Sequence, residues 1–175
     1  MATLPIEQTF VSVREYLATS YSPDREYVDG QIVERNLGEK EHSLLQKYFT
    51  ILFGLQEEAW GVAVYPGLRT HVAATILRVP DVLVVSAGME FDRILEVPPL
   101  ISIKILSPED KWSDVVKKTE EYVAFGIENI WIVDPIRRRA WTADSRGLHP
   151  VNDGTLSVSE TPIRIVLSEA FAKLD

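Results

Sequence analysis

The chain contains no cysteine. Disulfides and thiolate metal sites are therefore excluded, which agrees with a cytoplasmic location. No stretch approaches ~20 uncharged apolar residues, so no transmembrane helix and no membrane partner are expected. The opening Met1-Ala2-Thr3-Leu4-Pro5-Ile6-Glu7 lacks a basic region followed by an apolar core, and it does not read as a secretory signal. Internal repeats, low-complexity blocks and a linker long enough to divide the chain are also missing. Positive charge is in the minority, with 18 Lys and Arg against 26 Asp and Glu, a net charge of −8 and a pI near 4.9. That balance argues against broad, nonspecific binding to nucleic acid, which relies on cations neutralising phosphates. A local basic groove from Lys111, Lys117, Lys118 and Arg137 to Arg139 stays open as a reading, beside that of solvated surface charge.

What is present suits a single α/β domain over 1–175. The 175 residues are 46% hydrophobic and 25% charged, enough for a core of ordinary globular make-up. Ser12-Val13-Arg14-Glu15 has the form of a capping box, with a short helix to about residue 18. Asp29-Gly30 between 25–28 and 31–34 signals a two-residue hairpin. Apolar residues keep helical spacing from about 41 to 60, through Leu44, Leu45, Tyr48, Phe49, Leu52 and Phe53, and Gly61 ends that helix. Strands are predicted at about 62–65, 68–73, 76–85 and 99–106, with Pro80 at a bend or bulge because it has no N–H to donate. A second helix opens at Ser113 and closes at Gly126. The run 129–135 reads as a strand buried on both faces, 140–143 as its hairpin partner, and a strand near 162–166 and a helix from Ser168 complete the chain. A helix between the strands at 99–106 and 129–135 suggests a crossover, while the other strands read as antiparallel neighbours. The sum is a mixed sheet flanked by helices.

Two apolar runs carry ionisable residues that an ordinary core strand would not. Val79-Pro80-Asp81-Val82-Leu83-Val84-Val85 holds one acid, and Leu100-Ile101-Ser102-Ile103-Lys104-Ile105-Leu106 holds one lysine. An acid in an apolar strand is costly unless it is paired or functional. Acids on adjacent strands facing one cleft are how a protein holds Mg²⁺, which prefers oxygen ligands, for phosphodiester hydrolysis. Asp81 would serve as one ligand. Lys118, one helical turn after Asp114, is a candidate to orient water and offset charge. Glu26, beside the hairpin turn, and His42, opening the long helix, are candidates for an acidic, proton-handling cleft. Each has a plainer reading: Asp81 as a structural ion pair, Lys104 as a rim lysine, Lys118 as a solvated helix residue, Glu26 as a hairpin surface acid and His42 as a helix-start residue. Asp134 before Pro135 fits a turn. Trp60, Trp131 and Trp141 fit core or interface positions, and Trp112 fits an exposed contact.

The combination of Asp81, Ile103-Lys104-Ile105-Leu106-Ser107-Pro108, Asp114-x-x-x-Lys118-x-x-x-Tyr122-x-x-x-Gly126, Trp131-Ile132-Val133-Asp134-Pro135 and Glu26-Tyr27-Val28-Asp29-Gly30-Gln31 resembles the Uma-two family of restriction endonucleases. The resemblance extends from about residue 9 to 170. It implies a restriction-endonuclease-like core of the PD-(D/E)XK type, Mg²⁺-dependent cleavage of DNA, and a homodimer. It maps a metal-binding acid onto Asp81, the second metal carboxylate onto position 104, and the lysine of the superfamily motif onto Lys118. It also matches Glu26 to the family's acid ahead of the turn and His42 to a polar helix-start position. The departure is at position 104, where the family has Glu and this chain has Lys. A protonated lysine cannot ligate Mg²⁺, and its ammonium would instead pair with Asp81. Two other readings are a non-catalytic descendant that binds nucleic acid or a protein partner, and a structural dimerisation domain.

Overall fold

The computed structural model describes residues 10–36 and 38–175. The opening segment read above as lacking a signal lies outside them. Helix α1 (Val13–Ala18) starts at Ser12, whose hydroxyl accepts from the Glu15 amide at 3.1 Å. Strands β1 (Arg25–Val28) and β2 (Gln31–Glu34) form the expected hairpin, with Asp29 and Gly30 both at positive φ, as its tight turn requires. Helix α2 (Lys40–Trp60) follows and ends on Gly61 at φ 64°. Its buried stripe is Leu45, Phe49 and Phe53, preceded by His42.

Strands β3 (Val62–Pro66), β4 (Thr70–Ala73), β5 (Ile76–Arg78), β6 (Val82–Ser86) and β7 (Ile101–Ile105) come next. The single strand expected at 76–85 is a correction: β5 and β6 belong to different sheets. Val79-Pro80-Asp81 forms the passage between them. Pro80 cannot donate to a ladder, so it breaks the pairing, and Asp81 leaves the sheet with its side chain free to turn into the interior. Helix α3 (Trp112–Phe125) starts one residue ahead of the Ser113 expected, follows Lys111 with no side-chain cap, and ends on Gly126. Strands β8 (Asn129–Asp134), β9 (Arg139–Asp144), β10 (Gly147–Pro150), β11 (Thr155–Ser157) and β12 (Arg164–Val166) lead to α4 (Leu167–Phe171). The sequence reading missed β10 and β11, which are short and carry little period-two alternation.

Six strands form the main sheet in the order β10-β9-β8-β7-β6-β3, and β2-β1-β5-β4 form a second sheet. β7 and β8 are parallel, joined by α3 as a crossover, and the other neighbours in the main sheet are antiparallel. The main sheet therefore has two differently covered faces. Ile101, Ile103 and Ile105 pack with α2, Trp131 and α4 on one face. Ile130 and Ile132 pack beneath Val115 and Tyr122 of α3 on the other. Ser102 and Lys104, alternating with the isoleucines of β7, point to that second face, where they line a cleft rather than a sealed core. Among the described residues, no helix is long and apolar enough to cross a membrane.

Candidate functional site

The cleft encloses about 350 Å³ between β7, β8, α3 and the β1–β2 hairpin. Glu26, Asp81, Lys104 and Lys118 all line it. The hairpin brings Glu26, the Pro80 passage brings Asp81, the central parallel strand brings Lys104, and the face of α3 turned to the sheet brings Lys118. His42 is not at the cleft wall. It is buried on α2 behind Asp81, with Nε2 at 3.3 Å from Asp81 Oδ1. The expectation of His42 as a cleft residue is thus replaced by a supporting position.

Two charge clusters face the cavity. In the first, Asp81 is 2% exposed and both of its carboxylate oxygens are engaged. Oδ1 accepts from Arg35 at 3.0 Å and faces His42. Oδ2 accepts from the Ile105 amide at 2.8 Å and lies 3.4 Å from Lys104 Nζ. The same ammonium lies 3.0 Å from Asp110 Oδ2, and Asp110 in turn accepts from the Ser107 amide and from Asn36. Burial alone would raise the Asp81 carboxyl. The adjacent Lys104 ammonium, then His42 and the Ile105 amide, outweigh burial and hold it well below the usual carboxylate range. Burial likewise acts to lower Lys104, and Asp81 and Asp110 outweigh it, so its affinity for the proton is raised. Lys104 is a held cation between two anions.

In the second cluster, Glu26 Oε2 accepts from Lys118 at 2.7 Å and from Arg78 at 2.9 Å, while Oε1 accepts from the Val79 amide at 3.1 Å. Arg78 also forms a two-pronged pair with Glu121 at 2.7 and 2.8 Å. Burial acts to raise Glu26, and Lys118 and Arg78 outweigh it and lower it. Tyr122 closes the cavity beside this cluster. Burial, then the Glu26 carboxylate, push its phenol well above the ordinary value, so it remains protonated.

The basic residues read as a possible groove separate. Lys117 and Lys118 line the cleft. Arg137 turns to Asp134 and Arg138 pairs with Asp175. Asp134 has the turn role expected of it, accepting from the amides of Ile136 and Arg137. The site also recruits residues that sequence reasoning missed. Arg78 carries the signal that singled out Asp81, a charge in an apolar run. Asp110 lies in Ser107-Pro108-Glu109-Asp110, which reads only as a chain break, and Arg35 lies just beyond a hairpin. For these two, no local pattern marks a buried partner.

The donor set does not fit a Mg²⁺ ion. Such an ion needs converging, unprotonated oxygens. Both Asp81 oxygens already have cationic or amide partners, and an ammonium holds the space between Asp81 and Asp110. Among the described residues, no three acidic or imidazole side chains gather in a way that could hold a metal.

A family model for Uma2, described as a putative restriction endonuclease, matches residues 13–165. The fold is similar to the crystal structure of a putative nuclease belonging to DUF820 from Anabaena variabilis, with a TM-score of 0.80 at 18% identity. That likeness covers 94% of this chain and 99% of the other, so the two share one α/β architecture. Among curated proteins, none matches the chain.

Proposed function

Because this chain belongs to the Uma2 family, we propose that it acts on DNA as a restriction-endonuclease-like protein in which Lys104 suppresses the family's Mg²⁺-dependent phosphodiester chemistry. The observation that carries the reading is the Lys104 ammonium, 3.4 Å from Asp81 and 3.0 Å from Asp110. It supplies internally the positive charge that a divalent ion would bring, but with no open coordination position for water or phosphate. What remains is a polar cleft with Lys118 and Lys117 at its wall and Arg35 at Asp81. Lys118 and Arg35 are held by Glu26 and Asp81, so Lys117 is the cleft cation that suits contact with a phosphodiester backbone without its hydrolysis. Glu26 and Lys118 form an ion pair that positions both groups. His42 and Arg35 position Asp81.

A catalytic reading is favoured by one observation: Asp81, Glu26 and Lys118 share one cavity. Plasmid nicking with Mg²⁺ or Mn²⁺ separates the two. The unaltered protein is expected to leave the plasmid intact, and Lys104→Glu is expected to nick it and to gain thermal stability from Mg²⁺. Nicking by the unaltered protein would overturn the suppressed-site reading. A homodimer belongs to the same proposal. The outer face of α2 leaves Ile51 and Leu55 exposed, with exposed Lys47 and Glu58 on either side. Two copies of α2 packed antiparallel would set each Lys47 against the other copy's Glu58.

A further inference from the structure

Outside the cleft, α3 starts with an exposed aromatic. Trp112 is 45% exposed and packs on Trp141 of β9 at 5.1 Å between ring centroids, with the planes at 59°. The pair is tied to the cleft by strand register. Lys104 on β7 is opposite Ile132 on β8, and Ile132 is opposite Trp141 on β9. These three side chains lie in one row on one sheet face, so Trp141 stands about 10 Å from Lys104 at the usual strand spacing. Trp112 lies in sequence between Asp110 and Asp114, which line the cleft. Cations accompany the rings. Lys111 precedes Trp112, and Arg139 shares the face of Trp141 two residues earlier on its strand. Among the described residues, the side chains of Lys111, Arg139 and the cleft-lining Lys117 form no ion pair.

We infer that the Trp112–Trp141 pair is a stacking platform for an unpaired nucleobase, on a single strand whose backbone passes Lys111, Lys117 and Arg139 toward the cleft. This inference rests on the nucleic-acid reading above and names its substrate form. The physical case comes from charge. The chain carries −8 overall, and the cleft's own cations Lys104, Lys118 and Arg78 are already paired with Asp81, Asp110, Glu26 and Glu121. Phosphate contacts are then few, and binding has to draw on a term that phosphate charge does not supply. Base–aromatic stacking is such a term, and every base offers a π-face to it. Duplex DNA hides those faces, so the platform selects an unpaired strand. An Arg beside an aromatic adds a cation–π contribution to the same base.

The test measures binding of oligothymidylate, an abasic strand of equal phosphate count and a duplex by the intact protein, by anisotropy and by quenching of tryptophan emission. Oligothymidylate is expected to bind at least tenfold more tightly than the abasic strand and to quench emission. Three cations imply a shallow dependence of log K on log salt, with a slope of about −2. Trp112→Ala is expected to weaken oligothymidylate binding roughly 5- to 150-fold, the range for loss of one stacked base. Trp112→Phe, which keeps a ring, is expected to stay within about threefold. Equal binding of oligothymidylate and the abasic strand would overturn the platform, and this comparison needs no variant to fold. Full binding by Trp112→Ala would also overturn it. In either case, retained duplex or abasic binding would leave the nucleic-acid reading standing. No binding to any of the three probes would overturn both.

Discussion

Asp81 is a buried anion with its countercharge built in. Removing it with Asp81→Ala would leave Lys104 and Arg35 turned toward an empty place. Breaking a buried pair from one side costs about 3–5 kcal/mol, far more than loss of a surface pair. Urea unfolding of Asp81→Ala is therefore expected to fall by an amount of that order. Acid titration tests the same network. Asp81, Glu26 and Asp110 all have carboxyls held below their unfolded values. The stability they contribute is complete above about pH 6, where the unfolded carboxyls are fully ionised. It is lost as pH falls through the folded values, because there the unfolded chain binds more protons. Lys104 has the opposite sign: its folded affinity for the proton is raised, so its contribution is complete below about pH 10 and is lost as pH rises beyond it. Urea midpoints measured from pH 2 to 7 and from pH 9 to 11 are expected to drop at both ends. In Lys104→Met the alkaline drop is expected to shrink. Of these residues, Asp81 was legible as a charge in an apolar run. Its partner Arg35 was not, because that ion pair joins positions 46 residues apart that no spacing rule connects, and Asp110 meets Asp81 only through the Lys104 ammonium that both carboxylates face.

At the scale of elements, the site depends on where the chain is made to turn. Pro80 divides what sequence periodicity presents as one strand, because apolar residues run on both sides of Arg78 and Asp81 and the missing N–H of Pro80 is what ends the ladder. The division places β5 and β6 in separate sheets and puts Asp81 at their junction. The α3 crossover is the other positioning element, since its inner face carries Val115, Lys118 and Tyr122 over β8. It ends at Gly126 with φ 103°, and a Cβ there would meet Pro98 Cγ at 3.3 Å. Gly126→Ala would impose both a left-handed backbone on an L-residue and a close contact. A loss of about 1–2 kcal/mol is expected, read as a lowered midpoint in thermal unfolding. The helix start at Trp112 instead of Ser113 has a plain cause: the first turn is fixed by packing of Trp112 on Trp141, a tertiary contact that outweighs the preference of serine for a cap position.

For the whole molecule, the proposed homodimer is assigned to the outer face of α2. Leu55 is 79% exposed, yet it lies beside Ile51 on a helix whose opposite face is fully buried. Light scattering across a concentration series is expected to give a dimer for the unaltered chain and a monomer for Leu55→Glu. Lys47→Glu and Glu58→Lys are each expected to weaken the dimer, and the double exchange to restore it. If Leu55→Glu left the dimer intact, that face would not be the interface. On the proposed nucleic-acid reading, an acidic molecule with a charge-balanced cleft is expected to bind through few phosphates.

Periodicity and turn chemistry were enough to place the two long helices, the Asp29-Gly30 hairpin and the α3 crossover, because each depends on neighbours within a few residues. The same local information marked Asp81 and Lys104 as out of place in their apolar runs, and motif spacing carried the family. Folding in three dimensions added what distance along the chain conceals. It joined Lys104 to Asp110 as well as Asp81, turned Lys118 to Glu26, and withdrew His42 behind the cleft wall. It also laid Trp112 on Trp141. Those contacts are made between elements whose relative placement comes from burying two faces of one sheet, and no local pattern encodes which charged side chains that burial brings together.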